Sequence, residues 1–197
     1  MNGYERRKIQ KQTDIKKAAF TLFQKQGFKD IKIEDLAKEA GVSQVTIYNH
    51  FGSKEALFRE VVKDYTREQY EFHKELMESD LPFQEKMKAM ILHKTKQVAS
   101  IHPEALKEML LNDLELREYF ADFQKKYSAP MILKGIKEAQ QKGEINPDLS
   151  EQAIVIYIQL FNNDMLISQI TAPNGKKLAA DIFHMFLYGL TKPQELE

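Results

Sequence analysis

The sequence contains no cysteine. That absence excludes disulfides, thiolate metal sites and thiol redox chemistry, and it fits a reducing cytoplasm. Long apolar runs are missing as well: the most apolar segment, AIVIYIQLF at 153–161, gives way to NND after nine residues. A bilayer needs about 20 such residues, so this run reads as a buried helix rather than a membrane span. The opening MNGYERRKIQ has charges but no apolar stretch behind them, and no signal peptide is expected. There is no internal repeat, low-complexity tract or flexible linker.

What is present suits a globular chain. At 197 residues and 43% hydrophobic content, one or two small domains can bury a core. The formal net charge is zero, but the charge is unevenly placed. Residues 1–60 hold twelve Lys and Arg against eight Asp and Glu, and the remainder holds seventeen against twenty-one. Within the first 32 residues there are nine basic and three acidic side chains, beginning with Arg6, Arg7, Lys8 and Lys11. A basic end points to an anionic partner or to an ordinary solvated face.

The hydrophobic period is helical nearly throughout. Ile15, Ala18, Ala19, Leu22 and Phe23 fall on one helix face, and Ile33, Leu36, Ala37 and Ala40 repeat the pattern before Gly41. No alternating strand pattern competes. With Pro and Gly as punctuation, the chain reads as all-α with about nine helices, at 5–26, 33–40, 44–51, 54–78, 83–100, 104–111, 113–142, 149–171 and 175–190. Pro130 should kink or divide the helix at 113–142.

The stretch GVSQVTIYNHFGSKEAL, 41–57, carries the most specific pattern. Gly41 ends one short helix and Ser43 can cap the next, so the two helices must cross steeply, as in a helix-turn-helix. Around the second helix Ile47 and Phe51 share the inward side, with Val42 as a further anchor. The opposite side carries Val45 and Asn49, flanked by Thr46, with Gln44 at the tip. Gln or Asn can pair with an adenine edge and a Val methyl can touch a thymine methyl, so Gln44, Val45, Thr46 and Asn49 are the expected base readers in a DNA major groove. Tyr48, His50 and Lys54 are the expected phosphate contacts, Lys54 beside the N–H groups of a helix capped by Ser53. The plainer alternatives are that Tyr48 only packs, His50 is a surface residue and Ser53 is a cap alone.

Residues 27–58, GFKDIKIEDLAKEAGVSQVTIYNHFGSKEALF, resemble the DNA-binding signature of the TetR family of bacterial transcriptional regulators. The matching pieces are Gly27 and Phe28, DLAKEAGVS, TIYNHF and SKEALF; KGEI at 142–145 is similar to what often closes the family's seventh helix. Two positions depart from the pattern. Lys32 stands where the family commonly has a Thr or Ser cap, which leaves Glu34 and Asp35 to stabilise that helix end. Val45 stands where a small residue is frequent.

The resemblance implies an N-terminal helix-turn-helix DNA-binding domain, here 1–52, and a C-terminal helical domain for effector binding and dimerisation, here 53–197. It implies a homodimer on double-stranded DNA with a palindromic operator, usually repressing, and released by a small-molecule effector, with the helix at 54–78 as the lever. The dimer would form through the last two helices, with Ile154, Tyr157, Phe161, Phe183, Phe186, Leu187 and Leu190 in contact. Met109, Phe120, Phe123, Tyr127, Phe161, Asn162 and Met165 are candidate effector contacts for a small, largely apolar ligand; the alternative for the Met and aromatic residues, at helical spacing, is an ordinary core role. Asn162, Asn163 and Asp164 have three open roles: pocket, interface or solvent.

None of the five histidines has Glu three residues before it, and no H-E-x-x-H, G-x-G-x-x-G, Walker loop or G-x-S-x-G occurs. No catalysis, metal or cofactor is expected. A third reading keeps the fold but loses DNA binding, leaving a ligand- or protein-binding module.

Overall fold

The computed structural model describes residues 2–26, 28, 30–98, 113–160, 177–178, 180–182 and 184–185. The described residues form helices and turns, with no strand among them. The order is α1 (Gly3–Gln26), α2 (Ile33–Glu39), α3 (Gln44–Phe51), α4 (Lys54–Glu78), α5 (Phe83–Val98), α6 (Leu114–Phe123), α7 (Ala129–Gln141) and α8 (Glu151–Leu160). The all-α expectation therefore holds. The expected helix at 104–111, most of the segment beyond residue 160, and the effector candidates Met109, Phe161, Asn162 and Met165 lie outside the described residues.

Two packing units divide the chain. One comprises 1–70 with 99–121, the other 71–98 with 122–197, so α4 and α6 each contribute to both.

The first unit closes around one apolar cluster. Ile15, Ala19, Leu22 and Phe23 of α1 meet Leu36 and Ala37 of α2, Ile47 of α3, and Leu57, Phe58, Val61 and Val62 of α4. Spacings of three and four residues put these side chains on single helix faces, and burying each aliphatic one contributes about 1.5 to 3 kcal/mol. Phe23, Phe28 and Phe58 add a triangle of rings, with centroids 4.7 Å apart for Phe23–Phe58 and 5.0 Å for Phe28–Phe58, both edge to face. The triangle fixes the α1–α2 link against the start of α4.

Each helix end has a local cause. Asn2 and Glu5 exchange bonds, Glu5 N–H to Asn2 Oδ1 at 2.9 Å and Asn2 N–H to Glu5 Oε2 at 3.0 Å, and so start α1 two residues earlier than expected. At α2 the missing hydroxyl cap is partly replaced, because the Lys32 N–H donates to the Asp35 carboxylate at 3.0 Å. Asp35 thus acts by a hydrogen bond as well as by charge at the helix end.

Around Pro130 the expected division occurs. Gln124–Ser128 forms a π-helical turn, and the Ala129 N–H bonds the Gln124 carbonyl five residues back. Proline lacks an N–H and its ring crowds the carbonyl four residues earlier, so the chain widens by one residue before α7 starts. In the second unit Ile136, Ala139, Ile145 and Ile154 join Met77, Phe83 and Met87 in a separate cluster. Gly143, at φ 73°, closes α7 within KGEI, with the Glu144 N–H on the Ala139 carbonyl at 2.9 Å.

One dimer contact needs correcting. Ile154 is 1% exposed within its own unit, so its side chain has no area left to offer a partner. Ile156, two residues on and 51% exposed, occupies the outward side of α8 instead. Tyr157 packs against the cluster and its hydroxyl donates to the Met185 carbonyl at 3.0 Å. Phe183, Phe186, Leu187 and Leu190 are outside the described residues.

Candidate nucleic-acid interface

The α2–α3 turn is built by glycine and serine. Gly41 adopts φ 63°, a left-handed conformation that strains residues with a Cβ. The Val42 N–H then returns to the Ala37 carbonyl at 3.0 Å. Ser43 Oγ accepts the Thr46 N–H at 3.1 Å, satisfying a free donor of the first turn of α3. Gly52, at φ 82°, ends α3, and Ser53 Oγ caps α4 by accepting the Ala56 N–H at 3.0 Å.

Between these caps α3 has two unlike sides. Ile47 is 0% exposed in the first cluster, with Phe51 and Val42 packed against it. Val45 is 65% exposed, and Gln44, Tyr48 and Asn49 are exposed as well. A helix held by one edge and offering an amide, a methyl pair and a second amide on the other has the groups that base edges in a major groove accept.

Thr46 and His50 are half-buried, unlike their neighbours. The Thr46 hydroxyl lies 2.8 Å from Ser43 Oγ and is engaged in the cap. Nδ1 of His50 is buried with no hydrogen-bond partner among the described residues. Of the two ring nitrogens, this leaves Nε2 as the one for an outside partner.

Lys54 is committed elsewhere. Its ammonium donates to the Ile31 carbonyl at 2.8 Å and the Phe28 carbonyl at 3.2 Å, and sits 4.3 Å from the Phe28 ring centroid. Of its three N–H donors one remains for a phosphate.

Residues that the sequence reading missed tie α4 to the start of α6. On α4, Arg59 Nε donates to Asp113 at 2.7 Å, and Lys63 reaches Glu115 at 2.8 Å. Asp113 also accepts the Leu116 N–H at 3.0 Å, capping α6. Burial alone would push the Asp113 carboxyl up; the Leu116 N–H and the Arg59 guanidinium outweigh it and hold the group below its ordinary value. The signal that was available is an Asp directly before the apolar period of 114–123, a standard cap position.

The effector candidates are placed individually. Phe120 packs against the first unit's cluster. Phe123 and Tyr127 belong to the second unit, their rings 5.0 Å apart, and Tyr127 is exposed. A surface hollow of about 430 Å³ lies along the outer side of α7, beside Pro130, Leu133, Lys134, Lys137, Glu138 and Gln141, and includes none of the candidates. Among the described residues no group of three or more metal-ligating side chains occurs, and no helix is long and apolar enough to cross a membrane.

Residues 15–61 match the family described as bacterial regulatory proteins, tetR family. Over 193 residues the chain is 26% identical to the HTH-type transcriptional regulator YdgC of Bacillus subtilis, covering 92% of this chain and 93% of that one. It is 21% identical to the HTH-type transcriptional repressor KstR2 of Rhodococcus jostii over 71% of this chain and 72% of the relative. Its fold matches that of the transcriptional regulator FadR from Bacillus subtilis, solved in complex with stearoyl-CoA, with a TM-score of 0.67 at 20% identity, covering 90% and 98% of the two chains.

Proposed function

We propose that this chain, a transcriptional regulator of the TetR family, binds a palindromic operator as a homodimer, represses from it, and is released by a small, largely apolar effector. The observation that carries the reading is the division of α3, with Ile47 at 0% exposure and Val45 at 65% on opposite sides of one short, doubly capped helix. Gln44, Val45, Thr46 and Asn49 read bases. Tyr48, His50 through Nε2, and the remaining donor of Lys54 contact phosphates. In functional terms 1–52 is the DNA-binding part and 53–197 the effector and dimerisation part, working in the cytoplasm.

Dimerisation uses the segments 149–171 and 175–190. Exposed Ile156, Leu178 and Met185 within them support that assignment, since a pairing surface needs outward apolar groups. The effector meets Phe123 and Tyr127 with Phe161, Asn162 and Met165, all of the second unit. A fold relative described with stearoyl-CoA gives a long acyl chain as the first effector class to try. An effector that prefers the conformer with misplaced reading helices lowers DNA affinity by its differential affinity for the two states.

The test is selection of sites from random DNA by the purified chain, followed by gel shift on the winner. A palindrome bound by two copies and released by an acyl thioester supports the proposal. Failure to select any sequence removes the regulator mechanism, and release by none of a broad small-molecule panel removes the effector.

A further inference from the structure

We propose that the first turns of α1, through Arg6, Arg7, Lys8 and Lys11, form a second DNA surface that grips backbone phosphates flanking the bases faced by α3. This rests on the DNA-binding reading above and adds a contact ahead of residues 15–61, the part that matches the family.

The inward side of α1 changes character along its length. Ile15, Ala19 and Leu22 are buried on one face, and the same face continues toward the N-terminus as Lys11, Lys8 and Tyr4, four, seven and eleven residues before Ile15. Residues 2–11 are all exposed. The helix thus leaves its core at Ile15 and runs on for about 18 Å at ~1.5 Å per residue with no buried side chain. So short an unpacked helix is marginal by itself and persists as the continuation of a packed one.

Its cations follow no stabilising logic among the described residues. From residue 3 to 11 there are four cations and one anion, Glu5, all near the helix end whose dipole already favours negative charge. None of Arg6, Arg7, Lys8 and Lys11 forms an ion pair among the described residues. Cations on α4 do pair on their own helix: Lys63 with Glu60, Arg67 with Asp64 and Lys74 with Glu71. Asn2 meets the Glu5 N–H at the start of α1, and the positive charge is carried by the long Arg and Lys side chains. Unpaired basic side chains of this kind match a polyanion bound through its phosphates.

DNA is the polyanion because of where the turns are anchored. Ile15 shares its cluster with Ile47, the inward residue of α3, so the basic turns and the reading helix belong to one packed unit. Lys11 and Lys8 stand about 6 and 10 Å beyond Ile15 along the axis, which suits phosphates outside the base pairs that α3 faces.

The experiment measures affinity for the selected operator against salt, for the full chain and for a variant with Arg6, Arg7, Lys8 and Lys11 all changed to Ala. A control variant removes the same charge elsewhere, through Lys74→Ala, Lys88→Ala, Lys126→Ala and Lys134→Ala. The log–log salt slope of the α1 variant is expected to fall by about 1.8 or more, one phosphate per protomer at ~0.9 each. Preference among operator sequences should stay unchanged, and the control should keep the parent slope. A parent chain that binds its operator while the α1 variant shows the same slope overturns this inference alone, as does an equal fall in the control. A parent chain that binds no DNA overturns the regulator reading together with it.

Discussion

The ammonium of Lys54, at the first position of α4, donates to the backbone carbonyl of Ile31 at 2.8 Å, across 23 residues of chain. With the second bond to Phe28, this ties the α1–α2 link to the helix that follows α3. The lysine is therefore part of the scaffold as well as a proposed phosphate contact.

From that follows a double effect for Lys54→Ala. The DNA-free protein should lose about 1 to 3 kcal/mol, because two carbonyls lose a charged donor, and urea denaturation reads it. Its salt slope on DNA should fall by about 1.8, ~0.9 for each protomer, if the third donor meets a phosphate. Unchanged denaturation would mean that the two carbonyl contacts contribute nothing to stability.

Asn49→Ala and Gln44→Ala should leave the unfolding free energy within about 0.5 kcal/mol of the parent's, since both side chains are exposed. Each should relax discrimination at one operator position by roughly 1 to 3 kcal/mol. A panel of single-base operator variants measures this, and equal weakening on every sequence would reassign the residue to positioning.

Ile47→Ala should act in the opposite way. Its side chain is fully enclosed by α1, α2 and α4 residues, so truncation should cost about 2 to 5 kcal/mol of folding stability. Circular dichroism during thermal unfolding would register a clear drop in Tm. A variant as stable as the parent would contradict the packing assigned to α3.

The Arg59–Asp113 pair predicts a pH effect. The Asp113 carboxyl titrates below its ordinary value in the folded chain, so the unfolded chain binds its proton first as pH falls. The stability it contributes is complete above the unfolded value near 4 and is lost on further acidification. Asp113→Ala should lower stability at neutral pH by about 1 to 2 kcal/mol through loss of the α6 cap and the ion pair. It should also flatten the acid limb of the stability curve, and a variant whose acid limb parallels the parent's would show that Asp113 is not the group titrating there.

Much of the candidate site was legible from spacing. Gly41, Ser43, Gly52 and Ser53 announce where α3 and α4 begin and end, because caps and left-handed turns are satisfied by atoms a few residues away. The alternation around α3 follows from helix geometry alone. Lys32 was read as a weak start to α2, and the Asp35 bond to its N–H lies within the same local reach.

The sequence by itself determined the helices, their caps and the two-sided character of α3, since each depends on contacts within about one helical turn. Only the tertiary structure decided which donors are already engaged. Lys54 reaches back 23 and 26 residues to two carbonyls, Arg59 reaches forward 54 to Asp113, and Ile154 turns into its own unit while Ile156 faces out. Charge and hydropathy say that such groups want partners; which partner lies within hydrogen-bonding distance is set by how distant segments pack.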